Sequence, residues 1–211
     1  EQALGGETVS GTLQIGATLT IGNYLAVGMI ADFRRQHPET EITLSVANTR
    51  SIAEQVAGFE LDLGMIEGEL HHPQLDIHYW REDELQVFAA PDHPLAAAPA
   101  LSDSDLLAQD WIVREPGSGT RQTFDRAMHG LLPRLNLVME LQHTEAIKRA
   151  VEAGLGVGCL SRISLEDAFR RRSLVPLAVP GRDFSRQFYL ITHRQKYHGT
   201  ALHRWLELCR G

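Results

Sequence analysis

Residues 12–66, TLQIGATLTIGNYLAVGMIADFRRQHPETEITLSVANTRSIAEQVAGFELDLGMI, decide the fold. Thr12 to Thr18 alternates loosely and reads as a strand. Thr20-Ile21-Gly22-Asn23-Tyr24 opens a helix in which Ile21, Leu25, Met29 and Phe33 recur every four residues and form one apolar face. His37-Pro38 ends it. Glu41 to Ala47 alternates, with Ile42, Leu44 and Val46 on one side, as a half-buried strand does. Ser51 to Phe59 is helical, with Ile52, Val56 and Phe59 in register, and Leu61 to Ile66 is a short apolar strand. The order β-α-β-α-β is that of a parallel sheet covered by helices.

Beyond this unit the pattern changes. Leu75 to Ala90 is an extended segment too long for one lobe, interrupted by Arg81-Glu82-Asp83-Glu84, which predicts a strand crossing between two lobes. After the Pro/Ala loop Pro91 to Pro99, a second β-α series follows. Its helices are 106–109, 120–128, 144–153 and 164–171, and its strands are 111–114, 135–141, 156–160 and 174–179. Arg186 to Thr192 is a strand placed to cross back. Gly199 to Cys209 is a last helix, with Leu202, Trp205, Leu206 and Cys209 on one face. Two crossings make a hinge, and a cleft between lobes is a favoured ligand site.

Composition narrows the function. The 211 residues are 43 % hydrophobic and 22 % charged, which is globular rather than disordered. With 20 Lys+Arg against 27 Asp+Glu the net charge is −7, so this chain by itself is a poor match for the phosphate backbone of nucleic acid. No apolar run approaches the roughly 18 residues of a membrane span. Cys159 and Cys209 make no disulfide framework, and a reducing cytoplasm is the expected setting.

Three strand-to-helix junctions carry small hydroxyl residues: Ala17-Thr18-Leu19-Thr20, Gly117-Ser118-Gly119-Thr120-Arg121 and His143-Thr144-Glu145. A helix N-terminus offers unpaired N–H groups and roughly half a positive charge, so it can hold an anion. Gly117 and Gly119 permit close backbone approach. For each junction alone, simple capping is the competing reading. Glu145 opposes an anion at the third, and Glu67 and Glu69 follow a strand and face either the cleft or solvent. Gly154-Leu155-Gly156-Val157-Gly158 follows a helix rather than a strand, so it reads as a helix cap with a tight strand entry, not a dinucleotide loop. His71-His72-Pro73 reads as a solvated turn rather than a zinc site. No catalytic constellation, metal site or cofactor is expected.

Several ordered pieces carry a resemblance. They are Gly11-Thr12-Leu13-Gln14-Ile15-Gly16, the Thr20–Pro38 helix ending Phe33-Arg34-Arg35-Gln36-His37-Pro38, Leu61-Asp62-Leu63-Gly64, Pro91-Asp92-His93-Pro94-Leu95 and Gly154-Leu155-Gly156-Val157-Gly158. Together they resemble the effector-binding domain of LysR-type transcriptional regulators, from about Val9 to the end. Arg114-Glu115-Pro116-Gly117-Ser118-Gly119-Thr120-Arg121, Thr144-Glu145-Ala146-Ile147-Lys148, Cys159-Leu160-Ser161-Arg162 and His193-Arg194-Gln195-Lys196 look like the YeiE/CysL-like, sulfur-responsive and CbbR-like branch.

The resemblance implies an α/β fold of two Rossmann-like lobes joined by two crossing strands, like the type 2 periplasmic binding proteins. Residues 1–9 are then a linker remnant, 10–82 with 186–211 the first lobe, and 83–185 the second. It also implies a small anionic effector such as sulfite or sulfate in the cleft, held at Thr18 and Thr20, with Leu19 and Ile21 apolar where some relatives are polar. With the three junctions, the expected ligand-binding residues are Thr18, Leu19, Thr20, Glu67, Ser118, Gly119, Thr120 and Glu145. DNA is expected as a partner only through a winged helix-turn-helix absent from this chain. A homodimer, tetrameric at full length, is expected, with the apolar faces of the 51–59 and 144–153 helices as candidate contacts unless those faces are simply core. A cytoplasmic, non-enzymatic sensor follows; a solute-binding protein of the same architecture is the alternative.

Overall fold

A computed structural model describes residues 11–211; the expected linker lies outside the described residues. Sheet A is built from the quoted stretch. β1 (Gly11–Ala17) lies between β2 (Thr40–Val46) and β3 (Leu63–Glu67), parallel to both. Between β1 and β2 the helix starts as α1 (Leu19–Ile21), widens to a π-turn over Gly22–Ala26 and continues as α2 (Val27–Gln36). The π-turn was not visible in the four-residue spacing. Ile21 and Phe33 are nonetheless buried, with Leu25 and Met29 packed beside them. α3 (Thr49–Ala57) covers the other face of the sheet.

Two expectations here need correcting. Val46 is exposed at the sheet edge rather than half-buried. Phe59 is not in the helix: it takes a positive φ of 61°, is half exposed and stacks on His193 at 4.1 Å.

The long strand is a crossing. β4 (Leu75–Ala89) pairs antiparallel with β9 (Ser185–His193) from Leu75 to Glu84, then with β7 (Val157–Ser161) and β8 (Val175–Leu177) from Leu85 onward. The charged run therefore lies where the strand changes partners, and it sets Asp83 opposite Arg186. β9 also pairs antiparallel with β3. Sheet B continues from β7 through β5 (Asp110–Arg114) to β6 (Asn136–Leu141), all parallel. The full path is β2-β1-β3-β9-β4-β7-β5-β6, with β8 beside β4.

Each sheet has helices on both faces. On sheet A, α2 and α8 (Thr200–Arg210) bury Phe33, Leu202 and Trp205 on one side, and α3 buries Ile52 and Val56 on the other. On sheet B, α4 (Asp103–Leu107) and α5 (Gly119–Ala127) bury Leu106 and Phe124 on one side. α6 (Thr144–Glu152) and α7 (Arg162–Arg170) bury Ile147, Val151 and Leu165 on the other. The apolar faces of α3 and α6, candidate dimer contacts in the sequence, are thus spent on the chain's own cores. The glycines of 154–158 act as cap and strand entry. Gly154 has φ +84°, and a Cβ on Gly156 or Gly158 would lie 2.5 Å from Asp110 O or 2.7 Å from the Phe88 ring.

Candidate functional site

The starts of α1, α3, α5 and α6 all follow the carboxyl ends of parallel strands, so they converge between the two sheets. Their capping differs. Asn48 caps α3 by accepting from Ser51 N at 3.0 Å, and Ser118 caps α5 by accepting from Arg121 N at 3.2 Å. Neither Thr18, at the N-cap of α1, nor His143, at that of α6, makes a side-chain cap. The Thr144 hydroxyl is buried without a protein partner, and the buried Thr18 hydroxyl faces the Glu67 carboxylate.

The expected anion position at α1 is already filled, by the protein. Glu67, the last residue of β3 and fully buried, accepts from Thr20 N at 2.7 Å. Its other oxygen accepts from Thr120 Oγ1 at 3.1 Å and from Arg186 Nη1 at 3.4 Å. Arg186 donates to Thr120 Oγ1 at 3.0 Å and, through Nε, to Asp83 Oδ2 at 2.7 Å; Ser161 Oγ donates to Asp83 Oδ1 at 2.9 Å. Burial pushes the Glu67 carboxyl upward, but the Arg186 and Arg114 charges and the Thr18 and Thr20 hydrogen bonds outweigh it and hold Glu67 below the usual carboxylate value. The sequence left Glu67 open between cleft and surface. A surface position is excluded, because all five residues of β3 are buried.

Gly119 shows why the second junction is glycine-rich. A Cβ there would lie 2.1 Å from Glu67 O, so the close approach is to the protein's own backbone rather than to a ligand. The Ser118 oxygen accepts as the helix cap, which leaves its O–H free to donate. Arg121, the cation that ends this junction, is engaged by Asp125 at 2.9 Å, Glu140 at 3.2 Å and the Arg114 carbonyl at 2.9 Å.

Among the cavities between the sheets, two are lined by residues of these helix starts. One, of about 410 Å³, is lined by Leu19 and Asn23 from the first helix, Val46 to Asn48 and Ser51 around the start of α3, and Glu115, Gln142 and His143 opposite. The other, of about 560 Å³, lies beside α3 and α5 and includes Arg50, Gly117, Ser118, Gly119 and Arg121. They are parted where Asn48 Nδ2 donates to Glu115 Oε2 at 3.1 Å and Arg50 N donates to Gly117 O at 3.3 Å.

The expected residues are therefore dispersed. Leu19 lines the smaller cavity, while Ser118 and Gly119 line the larger. Thr20, Glu67 and Thr120 sit in the buried network between the lobes, and Thr18 precedes the smaller cavity's Leu19. Glu145 lines neither. It accepts from the Tyr24 hydroxyl and from Lys148 Nζ at 3.0 Å, and Lys148 also donates to Ser164 O at 2.8 Å. Burial raises the Glu145 carboxyl, but the Tyr24 and Lys148 hydrogen bonds outweigh this and hold it low, while burial and Glu145 push the Tyr24 phenol up. Asn23, Asn48, Glu115, Gln142, His143 and Arg186 were missed. Only Asn48, in Asn48-Thr49-Arg50-Ser51, carried a cap signal that could have marked it.

Residues 6–211 match the family model for the LysR substrate binding domain. The chain belongs to that family. It is 43 % identical over 200 residues to the "Uncharacterized HTH-type transcriptional regulator YeiE" of Escherichia coli K12, covering 95 % of this chain and 68 % of that protein. It is 34 % identical over 168 residues to "HTH-type transcriptional regulator CysL" of Bacillus subtilis, covering 79 % of this chain and 56 % of the relative. The structure is similar to the regulatory domain of Synechocystis CcmR in complex with 2-PG, with TM-score 0.87, 26 % identity and coverage of 95 % and 96 % of the two chains. The LysR family reading, with its two-lobed α/β fold and ligand-sensing class, thus holds. The two sequence relatives are named as transcriptional regulators, and the structural one as a regulatory domain.

Proposed function

We propose that this chain is the effector-sensing part of a cytoplasmic LysR-type regulator and that its effector is a small oxyanion taken into the 410 Å³ cavity. The lobes are 10–82 with 186–211, and 83–185, and the partner change of β4 between Glu84 and Leu85 supports that division. The carrying observation is the cavity itself. Residues at or beside the starts of α1, α3 and α6 line it, and the unpartnered hydroxyl of Thr144 adjoins its His143. The uncapped start of α6 supplies positive potential and Asn23, Gln142 and His143 supply donors, as a small anion needs. Glu115, the acid in the lining, is neutralised by Arg114 at 2.8 Å. The larger cavity is less suited, because Glu54, Glu69 and Asp125 there outnumber Arg50 and Arg121.

Binding would favour one arrangement of the lobes, and its effect on an assembled dimer or tetramer, and on DNA bound through a winged helix-turn-helix, equals the difference in affinity between states. A thermal-shift panel of sulfite, sulfate, thiosulfate, phosphate and small carboxylates tests the reading. A specific ligand at about a hundred times its dissociation constant stabilises by about 2.7 kcal/mol. His143→Ala should abolish the shift, and a shift unchanged in that variant contradicts the site.

A further inference from the structure

The geometry points to Glu67 as an intramolecular ligand: its carboxylate is the tethered occupant of an anion hole shared by both lobes, and it holds the lobes together while keeping free anions out. The inference rests on the reading of the space between the lobes as the sensing site.

The hole has three donors from three separate elements, namely Thr20 N at the start of the first helix, Thr120 Oγ1 on α5 and Arg186 Nη1 on β9, at 2.7, 3.1 and 3.4 Å from the carboxylate. All four residues are buried, so the carboxylate and its donors are shielded from water. The main chain at Glu67 is fixed independently of its side chain. Glu67 O accepts from Thr49 Oγ1 at 2.9 Å, and Glu67 pairs with Phe188 in the ladder. Truncating the side chain therefore removes the anion and leaves its donors in place. A tethered group competes at a high effective concentration, which a free anion at ordinary concentration cannot match. An effector consequently enters the neighbouring cavity rather than the start of α1, unless Glu67 is released.

Chemical complementation tests this in the chain as it stands. In Glu67→Ala, formate at tens of millimolar raises the melting midpoint by roughly 3–5 °C above the same concentration of chloride or of uncharged formamide. The wild type and Glu67→Gln, whose hole is filled, show no such difference. A Glu67→Ala midpoint that responds to formate no more than to chloride overturns the proposal. Should Glu67→Ala fold only with formate present, that is the same result in stronger form. Should it not fold at all, Thr120→Val decides, since it keeps the carboxylate and removes the second lobe's donor to it: small-angle scattering should show a larger radius of gyration than wild type, and an unchanged radius contradicts the latch. The formate response is read without effector, so a failed effector titration and a failed complementation are separate outcomes.

Discussion

Asn48 and Glu115 meet across the two lobes, with Nδ2 donating to Oε2 at 3.1 Å, while Asn48 Oδ1 caps α3 through Ser51 N at 3.0 Å. One side chain thus starts a helix in one lobe and fastens it to the other, and this contact parts the two cavities.

Replacing Asn48 should separate its two roles. Asn48→Ala loses cap and bridge and should cost about 1–2 kcal/mol. Asn48→Ser keeps a capping oxygen and should cost less than about 1 kcal/mol. Asn48→Asp keeps the cap but sets a carboxylate against Glu115, so it should be less stable than Asn48→Ser. Urea midpoints rank the three, and equal stability of the Ser and Asp variants would remove the cross-lobe contact from the account.

Gly119→Ala should be severe, since its Cβ would meet Glu67 O at 2.1 Å, a backbone atom that cannot turn aside. Overpacking of this kind costs about 3 kcal/mol or more. Gly28 is its control: it lies in α2 with nothing within 4 Å of a built Cβ. Gly28→Ala should stabilise by about 0.5–1 kcal/mol. Thermal or urea unfolding of the pair checks both signs.

Glu67→Gln keeps the shape but removes a charge from a buried pair, which costs about 3 kcal/mol at neutral pH. The folded-state carboxyl lies below its ordinary 4.5, so its contribution is fully present above that value and is lost as pH falls through the folded-state value. The gap between wild type and Glu67→Gln should therefore be constant at pH 6–7 and shrink below about pH 4.5. A gap that widens on acidification would reverse the assignment of charge.

Tyr24 projects from the π-turn of the first helix to Glu145 and Lys148 on α6, with Lys148 Nζ 5.5 Å from the centre of its ring. Glu145 is largely exposed, so Tyr24→Phe should cost no more than about 1 kcal/mol. Lys148→Met should cost more, because Lys148 is buried and its loss leaves Ser164 O without that donor. Equal losses measured by urea unfolding would show that the Ser164 contact contributes nothing.

Much of the fold was legible because burial writes itself into spacing. Ile52 and Val56, or Leu202, Trp205 and Cys209, face inward where the periodicity puts them. The break in β4 at Arg81–Glu84 was legible as well, since charge in mid-strand needs a partner such as Arg186 on the returning strand. The site was harder. Glu67 and Arg186 are 119 residues apart and join only when β3, β4 and β9 assemble. The hydroxyls at Thr18-Leu19-Thr20 showed a helix start but not that an internal carboxylate already occupies it. The π-turn over Gly22–Ala26 left no trace, because it adds a residue without disturbing which side chains are apolar.

The central claim, an effector in the cavity between the lobes, is tested most directly by amide chemical-shift mapping with the anion that stabilises the protein. The account predicts saturable shifts concentrated at Leu19, Asn23, Asn48, Gln142 and His143. Shifts concentrated instead around Arg50, Gly119 and Arg121, or spread over the surface without saturation, would contradict it.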